Sequence, residues 1–141
     1  MGFYKVIAQT KRRGSSIRDI PLYIAAKSTV DAMDRARSSP RVEKVLSAKP
    51  IVAERDYVIG LLTTAYMGYV YHTKDETIHE LSKIITSVKH VDHFTTIEGK
   101  TLKGFCDRYL AADDEDLKSC INEEFSVWAN NQLNNTDNFN R

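Results

Sequence analysis

The stretch YKVIAQTKRRGSSIRDIPLYIAA, residues 4–26, decides the fold. Two apolar runs flank a basic, glycine- and serine-containing connection, a pattern that reads as a β-hairpin with a long tip. In residues 3–11, Tyr4, Val6 and Ala8 fall on one side of a strand, and Phe3, Lys5, Ile7 and Gln9 on the other. Residues 18–26 put Ile20, Leu22, Ile24 and Ala26 on a single face. Pro21 cannot donate a ladder hydrogen bond, which places this strand at a sheet edge or at a bulge. Lys11, Arg12 and Arg13 then form either the solvated tip of the hairpin or a loop that grips an anion.

The pattern changes after Lys27. Ser28 supplies an N-cap and Asp31 a first-turn carboxylate, so a helix starts here, with Val30, Met33 and Ala36 or Arg37 at helical spacing. Pro40 ends it. Residues 41–53 are β-branched and apolar, and a third strand over about 42–48 is expected to return beside the hairpin. Residues 55–71 present Tyr57 or Val58, Leu61, Leu62, Ala65, Tyr66 and Tyr69 as a helical stripe, with a pair of strands as the competing reading because Gly60 and Gly68 interrupt it.

Thr73-Lys74-Asp75-Glu76 has the form of a capping box opening a helix whose apolar side is Ile78, Leu81, Ile84 or Ile85, and Val88. Residues 101–111 bring Leu102, Phe105, Cys106, Tyr109 and Leu110 together. Asp113 to Asp116 load the start of a last helix, with Leu117, Cys120 or Ile121, Phe125 and Trp128 as its stripe. The expected fold class is α+β: a small antiparallel sheet made of a β-hairpin, a helix and a third strand, followed by a three- to four-helix C-terminal half. We expect one domain over 1–132, with a basic part (1–54) and an acidic helical part (55–132), and an Asn-rich flexible tail over 133–141.

A chain of 141 residues with 42% hydrophobic and 28% charged residues can bury a self-sufficient core. No apolar run reaches membrane-spanning length, and the N-terminal residues lack a secretory h-region, which points to a cytoplasmic protein without membrane contact. Two cysteines are too few for a disulfide framework and read as buried thiols. The net charge of +1 hides a split: residues 1–60 carry twelve Lys and Arg against six Asp and Glu, whereas residues 61–141 carry eight against thirteen. Such a division points to an acidic or polyanionic partner for the basic half, or to attraction between the halves.

Motifs that would indicate catalysis are missing: there is no Walker loop, no Gly-x-Gly-x-x-Gly and no Gly-x-Ser-x-Gly. His90, Asp92 and His93 with Cys106 and Cys120 have poor metal-ligand spacing, so we expect no metal and no cofactor. The candidate binding residues are Lys11, Arg12, Arg13, Arg18, Arg35, Arg37 and Arg41. Tyr66, Tyr69 and Tyr71 add an interface rim, since tyrosine is favoured where a ring is buried and its hydroxyl stays bonded. The chain therefore reads as a non-catalytic protein-binding or inhibitory module acting through a basic hairpin surface. Carried by a phage or mobile element, such a module would be directed at a host nucleoprotein machine such as a CRISPR effector. A nucleic-acid-binding regulator is the alternative, homo-oligomerisation is compatible with the composition, and a His/Cys-dependent metal site or enzyme ranks last.

Overall fold

A computed structural model describes residues 2–10, 19–39, 42–66 and 79–139. The chain falls into two compact units, Met1–Tyr57 and Val58–Arg141. The fold class is α+β.

In the first unit, β1 (Gly2–Thr10) lies at the centre of a three-stranded antiparallel sheet, between β2 (Asp19–Ala26) and β3 (Val42–Ile51). Pro21 sits opposite Ile7 in an edge strand, where its missing N–H costs no ladder bond. The β1–β3 register shifts twice, leaving Leu46 and Glu43 without a residue opposite. Helix α1 (Thr29–Arg37) covers one face of the sheet. The Ser28 side chain accepts from the Asp31 N–H at 3.1 Å, as its sequence position predicts.

The buried side of α1 differs from the expected stripe. Ala32 and Ala36 are buried, whereas Val30 is 66% exposed. Two alanines four residues apart let the helix axis approach the sheet closely, and the core there consists of Val6, Ala26, Ala32 and Ala36 flanked by Tyr4, Leu22, Ile24, Val45 and Ala48. Beyond β3 the chain enters α2 (Glu54–Tyr66), whose first turn sets Tyr57 against Phe3 with ring centroids 4.3 Å apart. Helix, not a strand pair, is thus the structure of the described part of 55–71; residues 67–71 lie outside it.

The second unit is helical: the remainder of α2, then α3 (Glu80–Val88), α4 (Ile97–Ala111) and α5 (Glu115–Phe139). Its core contains Leu61, Leu62, Leu81, Ile84, Val88, Leu102, Cys106, Ile121 and Phe125. The stripe expected on α5 is shifted at its start, with Leu117 48% exposed and Ala129 buried. Thr96 caps α4 through the Gly99 N–H, and Asp114 caps α5 through the Leu117 N–H.

The capping box at Thr73–Glu76 lies outside the described residues. Helix α3 has His79 at its N-cap position, with no side-chain cap bond of its own. Helix α5 continues to Phe139, into the Asn-rich segment expected as a tail. Once a helix is nucleated each added residue gains a hydrogen bond, and asparagine disfavours it by only about 0.7 kcal/mol relative to alanine. No helix among the described residues is long and apolar enough to cross a membrane.

Candidate functional site

The basic residues singled out from the sequence fall into three groups. Lys11, Arg12, Arg13, Arg18 and Arg41 lie outside the described residues. Arg35 and Arg37 stand on α1 and are already engaged: Arg35 Nε donates to Asp31 Oδ2 at 3.1 Å, and Arg37 Nη1 to Asp34 Oδ1 at 2.9 Å. Asp31 also accepts from the Lys27 backbone N–H, and this bond, followed by the Arg35 contact, holds its carboxyl below the usual carboxylate range.

The third group emerges only from the strand register. Because Tyr4, Leu22, Ile24, Val45 and Ala48 pack toward α1, alternation turns Phe3, Lys5 and Ile7 of β1, Pro21 and Tyr23 of β2, and Lys49 of β3 to the other face. Lys5 is directly opposite Tyr23 on one side and Lys49 on the other, giving a row Tyr23–Lys5–Lys49 across all three strands. The next rows are Pro21–Ile7–Ser47 and Asp19–Gln9–Lys44. Lys5, Lys44 and Lys49 are exposed, and no ion pair reaches them from the described residues. Asp19, in the last row, accepts from Gln9 Nε2 at 3.2 Å, and the exposed Glu43 lies at the second register shift.

In the second unit several cations have partners, while Lys89 and Lys100 are exposed with no ion pair from the described residues. Lys83 Nζ donates to the Ala65 carbonyl at 3.1 Å and Lys103 Nζ to the Lys89 carbonyl at 2.6 Å, each satisfying a group near a helix C-terminus. Arg108 pairs with Glu124 at 2.8 Å, and the Lys118 ammonium stands 5.5 Å from the centre of the Tyr109 ring.

This unit also holds a buried polar cluster that sequence reading missed. His79 Nδ1 is 2.8 Å from the Tyr109 hydroxyl and Nε2 is 3.1 Å from the Ser119 hydroxyl. Asn122 Oδ1 accepts from the Leu81 N–H at 3.0 Å, and its Nδ2 donates to Glu80 Oε2 at 2.9 Å. His79 and Asn122 are the buried polar residues among those described. A serine and a histidine at this distance meet one requirement for nucleophilic catalysis. The ring's other nitrogen meets a phenol, whose pKa is raised by burial and then by Glu115, in the place where a catalytic triad has a carboxylate. The cluster as built ties the start of α3 to α4 and α5.

His90, Asp92 and His93 form no ligand set. His93 Nδ1 is 3.9 Å from Asp92 Oδ1, and no group of three or more His, Cys, Asp or Glu among the described residues is arranged to hold a metal ion. Cys106 is buried, its thiol pushed up to about 12 by burial first and Asp107 second. Cys120 is exposed, which corrects the expectation of two buried thiols: the apolar stripe of α5 runs through Ile121 and Phe125 and leaves position 120 outside.

Of the three tyrosines proposed for an interface, Tyr69 and Tyr71 lie outside the described residues. The Tyr66 hydroxyl is 2.9 Å from Ser126 Oγ, and its ring centre 6.5 Å from that of Phe125, so Tyr66 is tied to α5 with 36% of its surface exposed. Comparison with protein families, with characterised proteins and with solved structures yields no match to this chain.

Proposed function

We propose that this chain is a non-catalytic binding module whose β-β-α-β unit recognises an acidic surface on a protein partner. The observation that carries the reading is the coincidence of charge and architecture. The boundary between the compact units, at Tyr57–Val58, falls within a few residues of the boundary between the basic and acidic parts of the chain, and residues 1–57 carry twelve Lys and Arg against six Asp and Glu. Six excess positive charges are thereby concentrated on a small unit, which raises the association rate with an acidic partner and makes it salt-sensitive. Inhibition, where the partner works through an acidic groove, would follow from occupying that groove.

The test uses the whole chain as bait beside a variant with Lys11, Arg12, Arg13 and Arg18 replaced by serine and a second with Lys5, Lys44 and Lys49 replaced by serine. The expected result is a protein partner held by the native chain, released by raised salt, and lost from at least one variant. Recovery of the same partner by both variants would refute a basic recognition surface. Recovery of nucleic acid alone, with affinity falling steeply with salt, would favour the regulator reading instead.

A further inference from the structure

The face of the sheet turned away from α1 carries a cation arrangement that folding alone does not explain. Lysines on the edge strand β3 have a protective role: Lys44 and Lys49, with two register shifts and Pro50, discourage pairing with a strand from another molecule. Lys5 has no such role, because β1 is the central strand. It is nevertheless exposed and stands directly opposite Lys49. Like charges opposite one another weaken a sheet. In the second unit Lys83, Lys103 and Arg108 have an anionic or carbonyl partner. The exposed Lys89 and Lys100 have no ion pair from the described residues but do not face another cation across a strand pair.

We propose that this face, centred on the Tyr23–Lys5–Lys49 row, docks an acidic segment of a protein partner, with carboxylates seated between Lys5 and Lys49 and apolar side chains over Ile7 and Pro21. The inference rests on the binding-module reading and names its surface. A carboxylate between two ammonium groups accepts a charge-assisted bond from each and relieves their repulsion. The neighbouring Pro21–Ile7 pair, half-buried, presents its remaining aliphatic surface one row away, so the complementary ligand alternates acidic with apolar residues. Single-stranded nucleic acid fits less well, since it stacks successive bases on successive rings. Here the Phe3 ring is stacked on Tyr57, and Tyr23 is the aromatic residue of the cationic row.

The experiment is an amide-resolved NMR titration of the full chain with a synthetic peptide in which glutamate pairs alternate with leucine, beside an oligothymidylate of equal length. The expected result is peptide-induced shifts at Lys5, Ile7, Tyr23 and Lys49, and roughly tenfold weaker binding for the Lys5→Ser/Lys49→Ser variant, as for loss of a charge-assisted bond. A second variant, Lys49→Glu, turns the like-charge pair into an opposite-charge one. It is expected to melt at a higher temperature than the native chain while losing the peptide, a combination that damaged folding cannot produce. Peptide shifts confined to residues 11–18, lost on replacing Lys11, Arg12, Arg13 and Arg18, would overturn this face and leave the binding-module reading standing. Binding of the oligothymidylate at these amides without the peptide would overturn the acidic occupant. Failure of both probes to bind any part of the chain would overturn this face, while the wider reading falls only if the whole chain used as bait also recovers no partner.

Discussion

The Met1–Tyr57 unit and the Val58–Arg141 unit differ in the polar side chains they bury. In the first, the buried side chains among the described residues are apolar, mostly Ala, Val and Ile around α1, and Lys5, Lys44 and Lys49 stand exposed on the sheet without ionic partners from the described residues. In the second, Phe105, Phe125 and Trp128 form an aromatic cluster with centroids 5.6–6.3 Å apart, and His79 and Asn122 are buried with hydrogen bonds at both ends. One unit spends its polar chemistry internally, on holding helices to each other. The other leaves it outside, where it is available to something else.

The sharpest way to break the contrast is chemical. With its thiol pushed up to about 12 from an ordinary 9.0, Cys106 has a thiolate fraction about a thousandfold below that of an ordinary thiol near neutral pH. A thiol reagent at pH 8 is therefore expected to modify the exposed Cys120 in the native chain and to reach Cys106 only on unfolding, as read by intact mass. The same shift has a thermodynamic side. Native Cys106 keeps its proton while the unfolded thiol loses it, so stability present below pH 9 declines as pH rises toward 12. Denaturant midpoints measured across that window are expected to fall.

Next in size is Phe125→Ala, which empties the centre of the aromatic cluster and is expected to destabilise the helical unit by about 3–5 kcal/mol. Asn122→Ala leaves the Leu81 N–H without its acceptor, at a cost of about 1–3 kcal/mol in chemical denaturation. In the first unit, Ala32→Leu forces bulk between α1 and the sheet and is expected to cost about 1–3 kcal/mol by overpacking, where the same exchange at the exposed Ala111 is neutral. The smallest effect belongs to Ser28→Ala, about 1 kcal/mol through loss of the α1 cap. A chain in which Asn122→Ala is silent while Ser28→Ala is severe would reverse the ranking of the two units.

Much of the fold is legible in local patterns. The alternation of Ile20, Leu22, Ile24 and Ala26, the serine cap at 28, the proline-marked edge strand and the acidic opening of α5 each depend on neighbours within a few residues, and each appears as read. The departures arise where distant residues decide. Val30 has the better apolar side chain, yet Ala32 and Ala36 face the sheet because close approach favours small residues. His79 and Asn122 carry no local signature, since their partners are 30 to 42 positions away. The candidate surface was half legible: Lys5 and Ile7 share a strand face by simple alternation, but the Lys5–Lys49 opposition needs the β1–β3 register, and two shifts in it defeat counting from the sequence alone.

The bond from Leu81 to Asn122 has a consequence for synthesis. Helix α3 receives the acceptor for one of its first-turn donors from a residue 41 positions downstream, instead of from its own cap. During translation, therefore, α3 leaves the ribosome with that donor still waiting, and it is completed only after α5 has followed. A nascent chain arrested before residue 122 should hold the β-β-α-β unit folded while the start of α3 still exchanges its amide protons freely, making the order of emergence, and not local helix preference, the clock for this half of the protein.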